Sequence, residues 1–357
     1  LLYALATVKE NHVPKELICT APQTLQWRAY EERPLAGGEV LIVAEAVAAK
    51  HGTEIALYKG YYDRGGYDAS LGMFTRSLSP EWKYPHRMGN MLVGRVSQVA
   101  GDAGGLAVGD RVLTFGSFRP THIRKPAACW KMPPNLAWQD AVCMDPAHFA
   151  FSAMRDGDLR IGDAVAVFGL GAIGLMLVQL CRAAGASHVI ALDPLPRRRE
   201  LAARMGATLT LDARGGDEPV AAIRRATGGR GVDVAIDFSG NVHALQACLR
   251  AVAYGGNVVA GAYPAPYGPG LDFGAEPHRH RVNLMFSRGC SMPDRDHPRW
   301  DERRMQDVCF DMIAAGTLVG REMVSVIDES QLVEEYARIA AGTSEHVKIA
   351  VVYKGHA

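Results

Sequence analysis

Apolar positions in this chain follow two rhythms, and the change between them divides it. Over the first third they form short runs. Residues 39–47 alternate in part between apolar and polar side chains, residues 92–99 do so again, and residues 108–113 read as a turn leading into a barrel strand. Residues 61–87, rich in Gly, Tyr, Ser and Pro, read as a long loop. From Gln139 the spacing turns helical to about Arg155. The middle third then alternates: strands are predicted at 164–168, 189–192, 208–211, 232–237 and 257–260, and helices at 175–184, 197–205, 220–227 and 242–251. Such alternation predicts a doubly wound parallel sheet, with 282–287 as its last strand. Helices near 301–315 and 330–341 and a strand at 347–353 complete the chain. The order predicts a nucleotide-binding domain (148–290) inserted into a discontinuous domain of irregular β-structure (1–147 with 291–357). No internal repeat or low-complexity linker interrupts it.

The first strand–helix junction of the middle third carries specific chemistry. Gly169-Leu170-Gly171-Ala172-Ile173-Gly174 follows the apolar strand and opens the helix, and the next strand ends on Asp193, 24 residues beyond Gly169. Gly169 allows a tight turn, Gly171 lets the backbone approach a pyrophosphate, and Gly174 lets helix and strand pack closely. The helix start, with Ala172 and Ile173, offers unpaired N–H groups and a positive dipole end to phosphates. A carboxylate at Asp193 can accept from both ribose hydroxyls and repels a 2′-phosphate, so the expected cofactor is NAD. Arginines near a ribose can accommodate NADP. Here Arg197, Arg198 and Arg199 read as the solvated first turn of the next helix, with Arg198 among the cofactor contacts.

Composition narrows the class. A chain of 357 residues is long enough for two domains, and 48% hydrophobic content describes a globular protein. A net charge of +1, with no basic stripe, argues against nucleic acid as a partner. No apolar run reaches the length of a membrane span. The N-terminal stretch has no basic region and turns polar too early for a secretory leader; it opens on Leu1, as expected of a chain trimmed at the front. The seven cysteines are odd in number, with no CxxC pair, the pattern of reduced thiols in a cytoplasmic protein.

Taken together, Lys50-His51-Gly52-Thr53-Glu54, Tyr84-Pro85-His86-Arg87-Met88-Gly89-Asn90, Val108-Gly109-Asp110-Arg111-Val112, Asp145-Pro146, the glycine turn and Asp237-Phe238-Ser239-Gly240-Asn241 resemble the medium-chain dehydrogenase/reductase superfamily, which includes the zinc alcohol and polyol dehydrogenases. The resemblance covers nearly the whole chain. It implies a GroES-like irregular β-barrel catalytic domain beside a Rossmann domain. It also places Ser239 and Gly261 at the cofactor and Lys348 at the pyrophosphate.

The departures matter as much. Zinc-dependent members carry Cys-Gly-Thr-Asp where this chain has His51-Gly52-Thr53-Glu54, and Gly-His-Glu where it has Gly89-Asn90-Met91. Their later ligand, often Glu before Pro, is Asp145. A catalytic zinc needs three protein ligands and an open position, and Asn90 and Met91 are poor donors. The lobe of four closely spaced cysteines is missing as well. The expectation is therefore a dehydrogenase without zinc, although His51 and Asp145 with a third donor such as His148 make up an alternative metal set.

Without a metal, side chains must hold the developing alkoxide. His51 is the leading candidate because imidazole moves protons near neutral pH. Thr53 matches the family hydroxyl that relays a proton towards the ribose. Asp145 is expected to orient His51 as a dyad, His148 to share its helix face three residues on, and Asn90 to donate to the substrate oxygen. Glu54 and Lys59 read as structural or solvated. Of the aromatics in the 61–87 loop, Tyr61 and Tyr62 are the expected substrate contacts, since they closely follow the His51 segment and suit a flat ring.

The resulting expectation is an NAD-linked oxidoreductase acting on a secondary alcohol or ketone in a polyol, cyclitol, sugar-derived or hydroxyethyl-bearing substrate. The absent zinc ligands are similar to those of bacteriochlorophyllide hydroxyethyl dehydrogenases, where Thr-Gly-Thr-Glu would be expected, so His51 departs from that branch. Two alternatives stand: a quinone- or enoyl-type reductase of an activated double bond, which Asp193 counts against, and a nucleotide-binding sensor without turnover. The apolar stretch 282–286 predicts a homodimer through the last strand of the nucleotide sheet.

Overall fold

A computed structural model describes residues 13–61, 65–79 and 83–353. Tyr62, the side chain of His51 and the N-terminal stretch read for a leader lie outside the described residues.

Short strands build the first region: β1 (Lys15–Ala21), β2 (Thr24–Ala29) and β3 (Glu39–Ala48), followed by helix α1 (His51–Lys59). Next come β4 (Gly66–Asp68), β5 (Met73–Thr75), β6 (His86–Arg87), β7 (Met91–Ala100), β8 (Arg111–Phe115), β9 (Thr121–Arg124) and β10 (Cys129–Lys131). The predicted long loop at 61–87 thus contains an antiparallel hairpin, β4 with β5, that exposes Tyr67, Met73 and Phe74. β3 and β7 pair along their full lengths, with two register shifts that bend them into a barrel wall.

The helical stretch from Gln139 is two helices rather than one, α2 (Trp138–Ala141) and α3 (Met144–Asp156). Pro146 explains the break: it has no N–H for the carbonyl of Val142, and its ring excludes that carbonyl. A proline is tolerated only in the first turn, so a new helix starts just before it.

The nucleotide domain runs β11 (Ala164–Phe168), α4 (Ala172–Ala183), β12 (His188–Leu192), α5 (Pro196–Arg204), β13 (Leu209–Leu211), α6 (Glu218–Ala226), β14 (Val232–Asp237), α7 (Val242–Ala251), β15 (Val252–Ala260), α8 (Glu276–His280) and β16 (Asn283–Phe286). Its strands are all parallel, in the order β13-β12-β11-β14-β15-β16. β11 is buried along its whole length, as expected of a central parallel strand covered on both faces. The order reverses between β11 and β14, which opens a crevice at their carboxyl ends.

The chain then returns through α9 (Glu302–Ala314), β17 (Val324–Val326), α10 (Leu332–Ala341) and β18 (Lys348–Val352). β18 pairs antiparallel with β3, so the last strand closes the sheet begun by the first region. That pairing brings Lys348 beside the start of α1.

Candidate active site

A cavity of about 430 Å³ lies where the two regions meet. On one side it is lined by Gly171, Ala172, Ile173 and Gly174, with Arg198, Phe238 and Ser239; on the other by Lys50, Gly52, Tyr61, Asp145 and Lys348.

The glycine turn has the geometry its sequence requires. Gly169 sits at φ 88°, and a Cβ there would lie 2.6 Å from the Ser239 nitrogen. A Cβ on Gly174 would collide with the Gly169 carbonyl oxygen, so α4 can start this close to β11 only with glycine there. Gly171 is the N-cap of α4, and no side chain covers the N–H groups of that first turn.

Asp193, 2% exposed, stands at the end of β12. Its Oδ2 accepts the Leu170 N–H at 2.9 Å and its Oδ1 the Leu195 N–H at 2.9 Å. An Arg198 guanidinium nitrogen lies 3.6 Å from Oδ2. The carboxylate therefore fastens the turn from beneath. Across the crevice Asp237 ends β14, where Oδ1 accepts from the Ser239 N–H at 2.8 Å and its hydroxyl at 2.6 Å. Oδ2 is buried without a partner, and burial pushes this carboxyl up to about 6. Gly261 leaves room for the Phe238 ring, which an added Cβ would meet at 2.6 Å.

On the opposite wall the main feature is an ion pair. Lys50, the residue before α1, places Nζ 3.0 Å from Asp145 Oδ1 and 3.9 Å from the centre of the Phe149 ring. Burial raises the Asp145 carboxyl, but the charges of Lys50 and Lys348 outweigh it and hold the group below its ordinary value. Lys348 is 2% exposed; its Nζ donates to the Ala49 carbonyl at 2.7 Å, and burial depresses its ammonium. Glu54 is structural: it accepts from the Lys50 N–H at 2.7 Å, the Tyr336 hydroxyl at 2.8 Å and the Gly89 N–H, bracing α1 against β7 and α10.

Among the expected catalytic residues, only Asp145 lines the cavity with its side chain described, and the partner of its carboxylate is Lys50. Thr53 is half-buried on α1, outside the lining. Asn90 precedes β7 with a buried Nδ2 that has no partner, and it too is outside the lining. His148 does share the α3 face of Asp145, but it is 1% exposed and its Nε2 packs against Gly289. Tyr61 lines the cavity. Lys50 was not singled out from sequence; its signal was its place in the motif beside Gly52 and Thr53.

The described residues fit a zinc centre poorly. Met91 is fully buried in the barrel, Asn90 offers an amide, and the Asp145 carboxylate already holds an ammonium. Among the described residues no group of three His, Cys, Asp or Glu side chains is placed to hold a metal.

Comparison with known proteins agrees with the fold. A family model described as zinc-binding dehydrogenase matches residues 172–300. The D-guloside 3-dehydrogenase of Escherichia coli (strain K12) is 36% identical over 323 residues, spanning 88% of this chain and 92% of the relative. The structure of 2R,3R-butanediol dehydrogenase from Bacillus subtilis superposes with a TM-score of 0.75 at 22% identity, over 96% of this chain and 100% of the other. A putative zinc-binding dehydrogenase from Sinorhizobium meliloti 1021, bound to NADP, gives 0.76 at 20% identity, over 95% and 99%. The two structures show the shared fold, and the first relative shares sequence over nearly its whole length. The chain therefore belongs to the medium-chain dehydrogenase/reductase superfamily, as an oxidoreductase of the alcohol-dehydrogenase type that uses a nicotinamide dinucleotide.

Proposed function

We propose that the protein transfers hydride between NAD and a secondary carbinol of a sugar-derived, cyclitol or polyol substrate, without zinc. The observation that carries this reading is the single cavity joining the glycine turn and open α4 N-terminus to the polar wall of Lys50, Tyr61 and Asp145. The first wall suits a dinucleotide pyrophosphate. The second has hydrogen-bonding groups and an aromatic ring for a polyhydroxylated substrate. The E. coli relative is named for a D-guloside and its position 3, and that substrate class is carried to this chain as part of the proposal. The Asp193 carboxylate supports NAD over NADP, with Arg198 beside it on the adenosine side.

His51 and Thr53 remain the proposed proton-handling pair at the start of α1, with Asn90 and His148 behind them. Lys348, which lines the same cavity, is proposed to serve the cofactor pyrophosphate, as the family resemblance implies. A homodimer is proposed through β16, which forms one edge of the nucleotide sheet and carries Phe286 at 81% exposure. All seven cysteines are unpaired, six of them buried, which supports a reducing, cytoplasmic setting. Among the described residues no helix is long and apolar enough to cross a membrane.

The test is a screen of glycosides, free sugars, cyclitols and polyols with NAD and with NADP, read by reduced-nicotinamide absorbance. Turnover of a polyhydroxylated substrate with NAD preferred is expected. Binding of NAD without oxidation of any alcohol or reduction of any ketone would instead support a nucleotide-binding sensor.

A further inference from the structure

Resting on the reading just given, we propose that the Lys50 ammonium, held by Asp145, occupies the electrophile position of this active site and binds the reacting oxygen of the substrate. Lys50 lines the cavity opposite the glycine turn, and its side chain is 22% exposed, so it faces the space a substrate would fill. An ammonium has three donors and no acceptor. One N–H goes to Asp145 Oδ1 at 3.0 Å, and the face of Phe149 lies 3.9 Å away. Among the described residues no second protein acceptor takes the remaining donors.

The pair is also preorganised. Asp145 is anchored in the first turn of α3, 4% exposed, and Phe149 lies one helical turn further on. Lys348 adds a second cationic group to the same wall, its Nζ turned to the Ala49 carbonyl. Glu54 and Glu302 also face these lysines, so the donor available to a developing alkoxide is the Lys50 ammonium itself rather than the net charge of the wall. Where zinc-dependent relatives would place a metal, the chain has His51, whose side chain lies outside the described residues, with an amide, a thioether and a carboxylate already bound to an ammonium.

In oxidation, the C–H bond of the carbinol breaks and its electron pair leaves with hydrogen as hydride to the nicotinamide ring. The O–H bond breaks, its electron pair becomes the second C–O bond of the carbonyl, and its proton passes through the proposed Thr53 and His51 pair to solvent. The Lys50 ammonium donates to that oxygen throughout and stays protonated. In the reverse direction the same hydrogen bond polarises the ketone.

The experiment begins with wild-type turnover and metal content, then compares Lys50→Ala and Lys50→Arg. Lys50 contributes to α1 through its main-chain N–H to Glu54, which Lys50→Ala keeps. The expected result is a fall in kcat of about 10²–10³-fold for Lys50→Ala, the usual loss on removing an oxyanion donor. Affinity for NAD, read by fluorescence titration, is expected to stay within about threefold. Added ethylamine should restore turnover to Lys50→Ala in a saturable way, a rescue that a purely structural role would not give. Lys50→Arg should fall between the two, and serves as the folded control if Lys50→Ala proves unstable. Retained kcat in Lys50→Ala, or wild-type activity that rises with zinc to one ion per chain and is abolished by a chelator, would overturn the assignment. A wild type that oxidises no alcohol and reduces no ketone overturns the functional reading itself, and this inference with it.

Discussion

Oδ2 of Asp193 accepts the Leu170 N–H at 2.9 Å, so one buried carboxylate ties the end of β12 to the glycine turn that follows β11. The residue proposed to select the ribose also holds the glycine turn in place. Substituting it should therefore change both selectivity and overall affinity. In Asp193→Ser, NAD is expected to bind at least about tenfold more weakly, since hydrogen bonds to a charged group contribute roughly 1.5–3 kcal/mol. NADP should lose far less, because the repulsion of its 2′-phosphate goes too. Titration with both cofactors checks this; an unchanged ratio would assign selectivity to Arg198 or another group.

Asp237 gives a pH prediction. Its folded-state value of about 6 lies above the ordinary 3.8 because burial disfavours the charged form. Between those values the folded protein holds a proton that the unfolded chain has released, so stability falls as pH rises. The contribution is fully present below about pH 3.8 and lost by just above pH 6. The difference amounts to roughly 3 kcal/mol at neutral pH, from a group 1% exposed. Asp237→Asn keeps an acceptor for Ser239, and should gain stability over wild type as pH rises from 4 to 7. Urea midpoints at four or five pH values would show it, and parallel curves for the two proteins would refute it.

Asp140, 2% exposed on α2, accepts the N–H groups of Gly320 and Arg321 at 2.8 Å each and the Arg321 Nε at 3.0 Å. It joins the barrel end to the segment after α9, where Gly320 packs so tightly on Cys143 that no side chain fits. Asp140→Ala would orphan those N–H donors and is expected to cost about 2–3 kcal/mol. Asp140→Asn should recover part of that, since one amide oxygen still accepts. Denaturant melts of the two variants measure it.

The edge strand β16 tests the assembly. Phe286→Lys places a charge on the exposed face of the edge and should convert a dimer to monomer at micromolar concentration, with little change in the melting of the monomer unit. Light scattering distinguishes the two states. A variant that remains dimeric would move the interface elsewhere.

Local signals made much of the architecture legible in sequence. Strands β11 and β14 and helix α7 fall at the predicted residues, because unbroken apolar runs and 3.6-residue spacing are local properties. Asn241, whose side chain accepts from the His243 N–H at 2.8 Å, fixes the start of α7 by its residue type alone. β9 is not legible because its partner β3 is distant in the chain, whereas β1 with β2 and β8 with β10 pair locally and are hidden only by their mixed side-chain patterns.

The same division holds within the site. The glycine turn and Asp193 could be expected from spacing, because a pyrophosphate-binding turn needs particular residues at fixed short intervals, and Ser239 from the family resemblance. The pairing of Lys50 with Asp145 could not. These residues lie 95 positions apart, one just before α1 and the other in the first turn of α3, and meet only in the folded chain. Short-range motifs alone make the glycine turn and the family legible. The ion pair of Lys50 with Asp145 emerges only on folding, because a salt bridge between distant elements leaves no periodic trace in the chain that forms it.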